Sequence, residues 1–196
     1  ERGLLPLVDL AYQGFGDGLD ADAYGVRLLA ETIPNMMITT SCSKNFGIYR
    51  ERTGCLIVVA ANADETRSVR SQIAVIARGI YSTPPSHGAA LVAEILGSED
   101  LVALWKEELD AMRERINTVR AQLVDAMEAY GLRERFACIG EQRGMFSYTG
   151  LSPEQCGRLQ DEFGIYMVRS GRANVAGLTT ENIPYVAKAF AAVCQD

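Results

Sequence analysis

Hydrophobic positions recur along this chain in two rhythms. Nearly continuous apolar runs occupy residues 4–8, 36–38 and 55–60, and each gives way to polar or small residues. Runs of that length, rich in Leu, Ile, Val and Met, predict a buried strand at 4–9 and strands at 36–40 and 55–60 of the kind covered on both faces. Three- and four-residue spacing predicts helices instead at 20–31 (through Tyr24, Val26, Leu28 and Leu29), 64–78 and, after Pro84-Pro85, 86–96. Asn62 or Asp64 is placed to cap the second of these. The longest periodic stretch runs over 98–130, with Leu101, Leu104, Trp105, Leu109, Met112, Ile116, Val119, Leu123 and Met127 on one stripe. Ser98 caps it and Gly131 ends it. Beyond it the pattern shortens, predicting strands at 136–139, 145–149 and 165–168 and helices at 152–163 and 180–192.

A helix over 98–130 is long for a globular protein, so it is expected to bridge two domains. The expected organisation is therefore a strand-and-helix domain at 1–97, the bridging helix at 98–130, and a small α+β domain at 131–196.

Composition narrows the classes. Apolar residues make up 48% of the 196 and charged residues 22%, which is ordinary for a soluble globular protein and unlike a disordered or fibrous one. The formal charge of −6 argues against nucleic acid and anionic membrane as partners. No apolar run approaches the roughly 20 residues that span a bilayer. The cysteines (Cys42, Cys55, Cys138, Cys156, Cys194) are odd in number and share no metal-ligand spacing, so reduced thiols in the cytoplasm are expected. A chain opening on Glu1-Arg2-Gly3 is expected to be cut from something longer.

The chemistry concentrates where the second strand ends, in Ser41-Cys42-Ser43-Lys44-Asn45-Phe46-Gly47, with Arg52 and Gly54 close behind. A strand ending this way delivers an amine to the carboxyl edge of a sheet, where α/β proteins bind ligands. Two hydroxyls and a guanidinium beside it are what phosphate oxygens require. An amine next to a phosphate cup suits pyridoxal phosphate, whose aldehyde needs an amine and whose phosphate needs an anchor. A surface lysine after a strand would be the plainer reading of Lys44 alone; the whole string argues against it.

That string resembles the cofactor-lysine segment of the class I aminotransferases, in the branch of the aspartate and aromatic amino acid aminotransferases. Asp9-Leu10-Ala11-Tyr12-Gln13-Gly14-Phe15, Tyr81-Ser82-Thr83-Pro84-Pro85-Ser86-His87-Gly88, Arg143-Gly144-Met145-Phe146-Ser147-Tyr148 and Ser170-Gly171-Arg172-Ala173-Asn174-Val175-Ala176-Gly177 resemble further segments of that branch, in order. The likeness covers essentially the whole chain and matches the carboxyl-terminal half of such enzymes. It implies an α/β fold: the carboxyl-terminal part of the fold type I large domain, then the small α+β domain, joined by a long helix. It also implies a homodimer.

Site roles follow from the resemblance residue by residue. Lys44 would carry pyridoxal 5'-phosphate covalently and shuttle the substrate's proton. Asp9 would pair with the pyridine nitrogen, and Tyr12 would bond the ring oxygen. Ser41, Ser43 and Arg52 would bind the phosphate. Arg172 would grip the substrate α-carboxylate, and Arg78 would reach across the dimer to a side-chain carboxylate, with Ser82 facing the same site. Phe146 would pack at the substrate end of the pocket. Read without the resemblance, Asp9 could cap the loop that follows it, Tyr12 and Phe146 could be packing, and Arg172 could sit in a surface ion pair. Arg169 matches no catalytic position and reads as a solvated charge. His87, the only histidine, has no carboxylate at motif spacing and reads as structural.

The expected activity is transamination between an aromatic or dicarboxylic amino acid and a 2-oxo acid. The segments at 142–151 and 186–193 look closer to the aromatic enzymes. The alternatives are another pyridoxal-phosphate reaction on the same fold, such as decarboxylation or β-elimination, and a truncated fragment that folds or dimerises without catalysis. In the resemblance the half not present here holds a ring-stacking aromatic and further phosphate donors, so the isolated chain is expected to be inactive.

Overall fold

A computed structural model describes residues 3–195. Its first sheet has the order β1-β2-β3, from β1 (Leu7–Leu10), β2 (Met36–Ser41) and β3 (Gly54–Val59). β1 and β2 are parallel, with Asp9 opposite Thr39, and the crossover that parallel strands require is made through α1 (Leu19–Asp22) and α2 (Tyr24–Thr32). β3 returns antiparallel, with Met36 opposite Val59 and Ser41 opposite Gly54. Met36 and Ile38 of β2 are buried, whereas Leu56 and Ile57 of β3 are 45% and 44% exposed. The expectation that the third strand is covered on both faces is thus not met among the described residues, nor is that of a buried first strand, where Leu5 and Leu7 are also exposed.

Three helices follow: α3 (Ala63–Ile80), α4 (His87–Leu96) and α5 (Glu99–Ala126). α3 starts where Asn62 takes the backbone N–H of Asp64 and Glu65 on its side-chain oxygen, 3.1 and 2.9 Å away, and donates back to Glu65 at 2.9 Å. Contacts divide the chain into two units, one holding the residues up to Gly14 and Gly18–Leu109, the other Phe15–Asp17 and Asp110–Asp196. α5 begins in the first and ends in the second.

The second unit contains α6 (Arg133–Glu141), β4 (Phe146–Tyr148), α7 (Pro153–Phe163), β5 (Arg172–Asn174) and α8 (Ile183–Cys194), with β4 and β5 antiparallel. Its core joins Leu123 and Met127 of α5, Phe136 and Ile139 of α6, Leu159 of α7, and Val186, Phe190 and Val193 of α8. α7 opens on a capping box between Ser152 and Gln155 with a proline in its first turn, and Gly164 closes it.

Several expected elements differ. Residues 136–139 are helical, not a strand: Phe136 and Ile139 are both buried, and a spacing of three puts them on one face of a helix but on opposite faces of a strand. Residues 165–168 join no ladder among the described residues; β4 pairs with Arg172–Asn174 instead. The helix expected over 20–31 divides at Ala23. The last helix begins at Ile183, because Thr179 and Asn182 bond each other's backbone N–H through their side chains, at 2.7 and 3.1 Å, and fix a turn before it. Among the described residues no helix is long and apolar enough to cross a membrane, and no cluster of His, Cys, Asp and Glu could hold a metal ion.

Candidate active site

In the first unit the chain leaves β2 at Ser41 and turns sharply, with Phe46 N–H donating to the Cys42 carbonyl (3.3 Å) and Gly47 N–H to that of Lys44 (3.1 Å). Ser43 is buried within this turn, and its backbone N–H donates to Ser41 Oγ at 3.1 Å. Trp105 of α5 clamps the turn from one side: its indole N–H donates to the Asn45 carbonyl at 2.6 Å, and its ring stacks on Phe46 at 4.5 Å. The Asn45 amide donates to the Gln13 carbonyl at 3.4 Å, tying the turn to the segment after β1. Held this way, Lys44 places its amine 4.6 Å above the Tyr12 ring.

Parallel pairing of β1 and β2 brings their carboxyl ends together. Asp9 therefore lies beside Thr39, whose hydroxyl donates to Asp9 Oδ1 at 3.2 Å. Asp9 is exposed in this chain. The β2–β3 pairing continues past Ser41 through Cys42 N–H to the Thr53 carbonyl (3.0 Å), which sets Arg52 beside the Ser41–Ser43 segment. Arg52 follows a 3-10 turn (Tyr49–Glu51), has a left-handed backbone (φ 52°), and donates to the Tyr49 carbonyl at 2.9 Å. Burial pushes the Cys42 thiol up, with Cys55 adding to it, so the sulfur two residues from Lys44 stays protonated. Asp9, Tyr12, Ser41, Ser43, Lys44 and Arg52 thus meet at one end of one sheet.

Arg172 and Phe146 belong to the second unit, on the paired strands β5 and β4. The Arg172 guanidinium lies over the Phe146 ring at 4.8 Å, and both line a cavity of about 300 Å³ with Tyr166, Met167, Val168 and Asn174. The residue before Arg172 is pinned: the Gly171 carbonyl accepts from both the N–H and the hydroxyl of Thr149 (2.9 and 2.8 Å). Gly171 has φ 84°, and a Cβ there would lie 2.9 Å from the Leu151 carbonyl oxygen, so only glycine fits.

Arg78 sits near the end of α3 and Ser82 just beyond it, at φ 64°; both are exposed. Neither is bonded to the Lys44 group among the described residues.

Sequence reasoning missed Arg120. It is 2% exposed and bonded only to neutral groups: Asn117 Oδ1 (2.8 Å), Ser147 Oγ (3.4 Å) and the Gly144 carbonyl. Burial, and then Arg143, lowers its pKa. It ties α5 to the loop and strand carrying Phe146. The signal was present, since residue 120 falls four after Ile116 and three before Leu123 on the apolar stripe. His87 also has a partner, Glu51, with Nδ1 2.8 Å from Oε2.

Comparison with known proteins places these groups in context. A family model described as aminotransferase class I and II matches residues 1–190. The aromatic-amino-acid aminotransferase of Pseudomonas aeruginosa is 57% identical over 195 residues, covering 100% of this chain and 49% of that protein. The aspartate aminotransferase of Escherichia coli is 45% identical over 193 residues, covering 98% and 49%. Among solved structures, an aromatic-amino-acid aminotransferase from Burkholderia pseudomallei covalently bound to pyridoxal phosphate matches with TM-score 0.93 and 47% identity, covering 98% of this chain and 48% of that one. The chain spans about half the length of the relatives it matches.

Proposed function

The chain belongs to the class I and II aminotransferases and shares their fold type I architecture over the half that it covers, and from that premise we propose that it carries the lysine-bearing part of a pyridoxal-phosphate transaminase acting on aromatic and dicarboxylic amino acids. The observation that carries this reading is the meeting of Lys44, Asp9, Tyr12, Ser41, Ser43 and Arg52 at one sheet end. An amine answers the aldehyde of pyridoxal 5'-phosphate, a carboxylate its ring nitrogen, a phenol its ring oxygen, and two hydroxyls with a guanidinium its phosphate, so the donor set fits that cofactor.

When bound, the cofactor supplies an electron sink for the charge left as the substrate's Cα–H bond breaks. Lys44 would hold it covalently and would carry the proton taken from the substrate Cα. Asp9 would accept the ring N–H and so favour the protonated nitrogen. The Tyr12 hydroxyl donates to the ring oxygen. Ser41, Ser43 and Arg52 hold the phosphate, so binding energy distant from the reacting carbon sets its orientation. Arg172 meets both α-carboxylate oxygens with its planar fork, and Phe146 shapes the pocket beside it. Arg78, with Ser82, receives the side-chain carboxylate of a dicarboxylic substrate in the neighbouring subunit of a homodimer.

Aromatic substrates are the preferred class in this reading, supported by 57% identity to an aromatic-amino-acid enzyme against 45% to an aspartate enzyme. Residues 1–97, 98–130 and 131–196 then act as large-domain segment, bridge and small domain of a cytoplasmic enzyme. The test is to add pyridoxal 5'-phosphate to the complete protein and follow the visible spectrum and transamination of phenylalanine, tyrosine and aspartate with 2-oxoglutarate. A bound-cofactor band with turnover of phenylalanine above aspartate is expected. A spectrum of free aldehyde and no turnover would overturn the assignment.

A further inference from the structure

The turn that carries Arg52 is held locally by Glu51 N–H to the Ile48 carbonyl (3.1 Å) and by the Arg52 guanidinium to the Tyr49 carbonyl (2.9 Å), both short-range bonds within four residues. Arg52 itself is left-handed without being glycine, a conformation that persists only where the surroundings hold it. The Thr53 hydroxyl reaches the Glu51 carbonyl at 3.4 Å. On one side the stretch from Glu51 to Gly54 borders a cavity of about 410 Å³, lined also by Tyr81, Pro84, Pro85 and Ala89, which gives it room and no close packing.

The first turn of α4 adds a hold from a segment distant in sequence. His87 Nδ1 lies 2.8 Å from Glu51 Oε2, linking the first residue of α4 to the turn. That pair is largely open to water, with His87 70% exposed, so its electrostatic share is small. The closer hold is at Gly88, which is buried although it is flanked by exposed residues. A Cβ on Gly88 would overlap Thr53 Oγ1 and come within 2.7 Å of Glu51 Cβ. Helix α4 therefore approaches the turn as closely as backbone can, touching the residues on both sides of Arg52.

We propose that His87 and Gly88 are positioning residues, which fix the turn from Glu51 to Thr53 and thereby aim the Arg52 guanidinium at the cofactor phosphate. The proposal rests on the reading of Arg52 as a phosphate ligand, and it assigns the only histidine of the chain a role through Arg52 and none in proton transfer.

The experiment compares the affinity of the complete apoprotein for pyridoxal 5'-phosphate and for pyridoxal, which lacks the phosphate. Arg52→Ala should weaken the phosphate form by about 10- to 100-fold and pyridoxal little, since a charge-assisted contact is lost. His87→Ala should weaken the phosphate form by about three- to tenfold, Gly88→Ala by more, and both should spare pyridoxal. His87→Asn, whose amide can occupy the Nδ1 position, should restore most of the loss. His87→Ala added to Arg52→Ala should cost nothing further, because the histidine acts through the arginine. The ³¹P resonance of the bound phosphate should shift in His87→Ala and return in His87→Asn. If His87→Ala weakens both ligands equally, leaves both unchanged, or adds fully to Arg52→Ala, the buttress is overturned while the phosphate reading stands. If Arg52→Ala leaves the preference for the phosphate form intact, the phosphate reading falls and the buttress with it. Should Gly88→Ala fail to fold, His87→Ala and its asparagine rescue decide the matter.

Discussion

Trp105 and Phe46 stack face to face, 4.5 Å between ring centroids and 10° between planes, although 59 residues separate them in sequence. The indole N–H donates in the same contact to the Asn45 carbonyl at 2.6 Å. The first residues of α5 therefore act on the turn that presents Lys44. Trp105→Ala removes the stack and the hydrogen bond, and should cost roughly 2–3 kcal/mol of stability. Trp105→Phe should recover about half, since it keeps the ring and loses the donor. Urea denaturation of the two variants checks the ordering, and equal losses would show that the ring stack contributes nothing beyond the hydrogen bond.

This clamp also shows which features of the chain were legible in its sequence. Lys44, its flanking serines and Arg52 lie within twelve residues, so their chemistry could be read as a string. The carboxyl-end placement followed from an apolar run ending in polar residues. Tertiary partners were not legible: Glu51 and His87 are 36 residues apart, and Phe46 and Trp105 farther still. Residues 136–139 read as a strand because Phe136-Ala137-Cys138-Ile139 is a short continuous apolar run, which fits a buried strand or a helix alike, and packing of Phe136 and Ile139 in the core with α5 and α8 decides it. Ile165-Tyr166-Met167-Val168 is a continuous apolar run of strand length, but β4 takes Arg172–Asn174 as its partner, and pairing is a property of two segments. Arg120 was hidden by its type, since an arginine on an apolar stripe is ordinarily discounted as a solvated edge.

Lys44→Ala should abolish covalent cofactor attachment and lower turnover by several orders of magnitude, because the covalent link and the proton carrier are lost together. The absorbance of the reconstituted protein reads the first effect and single-turnover kinetics the second. Turnover near the unmodified value would mean that another amine does the work.

An acid limit follows from α7. Glu162 accepts two hydrogen bonds from Arg158, at 2.7 and 3.2 Å, which holds its carboxyl below the ordinary value of 4.5. Glu154 is held down mainly by the Ser152 hydroxyl. A carboxyl lowered on folding favours the folded state fully above its unfolded value, and that preference is lost as pH falls through the folded value. Melting temperature should therefore be flat above about pH 5 with respect to these groups and decline below 4.5. Glu162→Gln should flatten part of that decline in a series of thermal melts; an unaltered slope would exclude Glu162 as a contributor.

Leu56, Ile57, Val75, Ile76 and Ile80 of the first unit are all at least 44% exposed. Apolar surface of that extent marks an interface or an aggregation site. The 196-residue chain made by itself should self-associate, with Ile57→Lys reducing the effect by placing a charge on β3. Sedimentation velocity is the check, and a monodisperse monomer at micromolar concentration would contradict the expectation.

The last prediction separates two arginines with similar chemistry and different addresses. Arg172 sits behind a pinned glycine on β5 and faces Phe146, whereas Arg78 lies exposed at the end of α3. If Arg78 receives a distal carboxylate across a homodimer, Arg78→Leu removes a charge-assisted contact worth about 1.5–3 kcal/mol, which is roughly ten- to a hundredfold in kcat/KM. That loss should fall on aspartate and glutamate and spare phenylalanine and tyrosine, which have no distal charge to pair. Arg172→Leu should damage every amino acid alike, because all share the α-carboxylate. Mixing inactive Lys44→Ala with Arg78→Leu should then regenerate aspartate activity, since a hybrid dimer has one site with both residues intact. Equal losses for aspartate and phenylalanine in Arg78→Leu would remove its role in specificity. Loss confined to dicarboxylates without rescue in the mixture would keep that role and place Arg78 in the site of its own subunit.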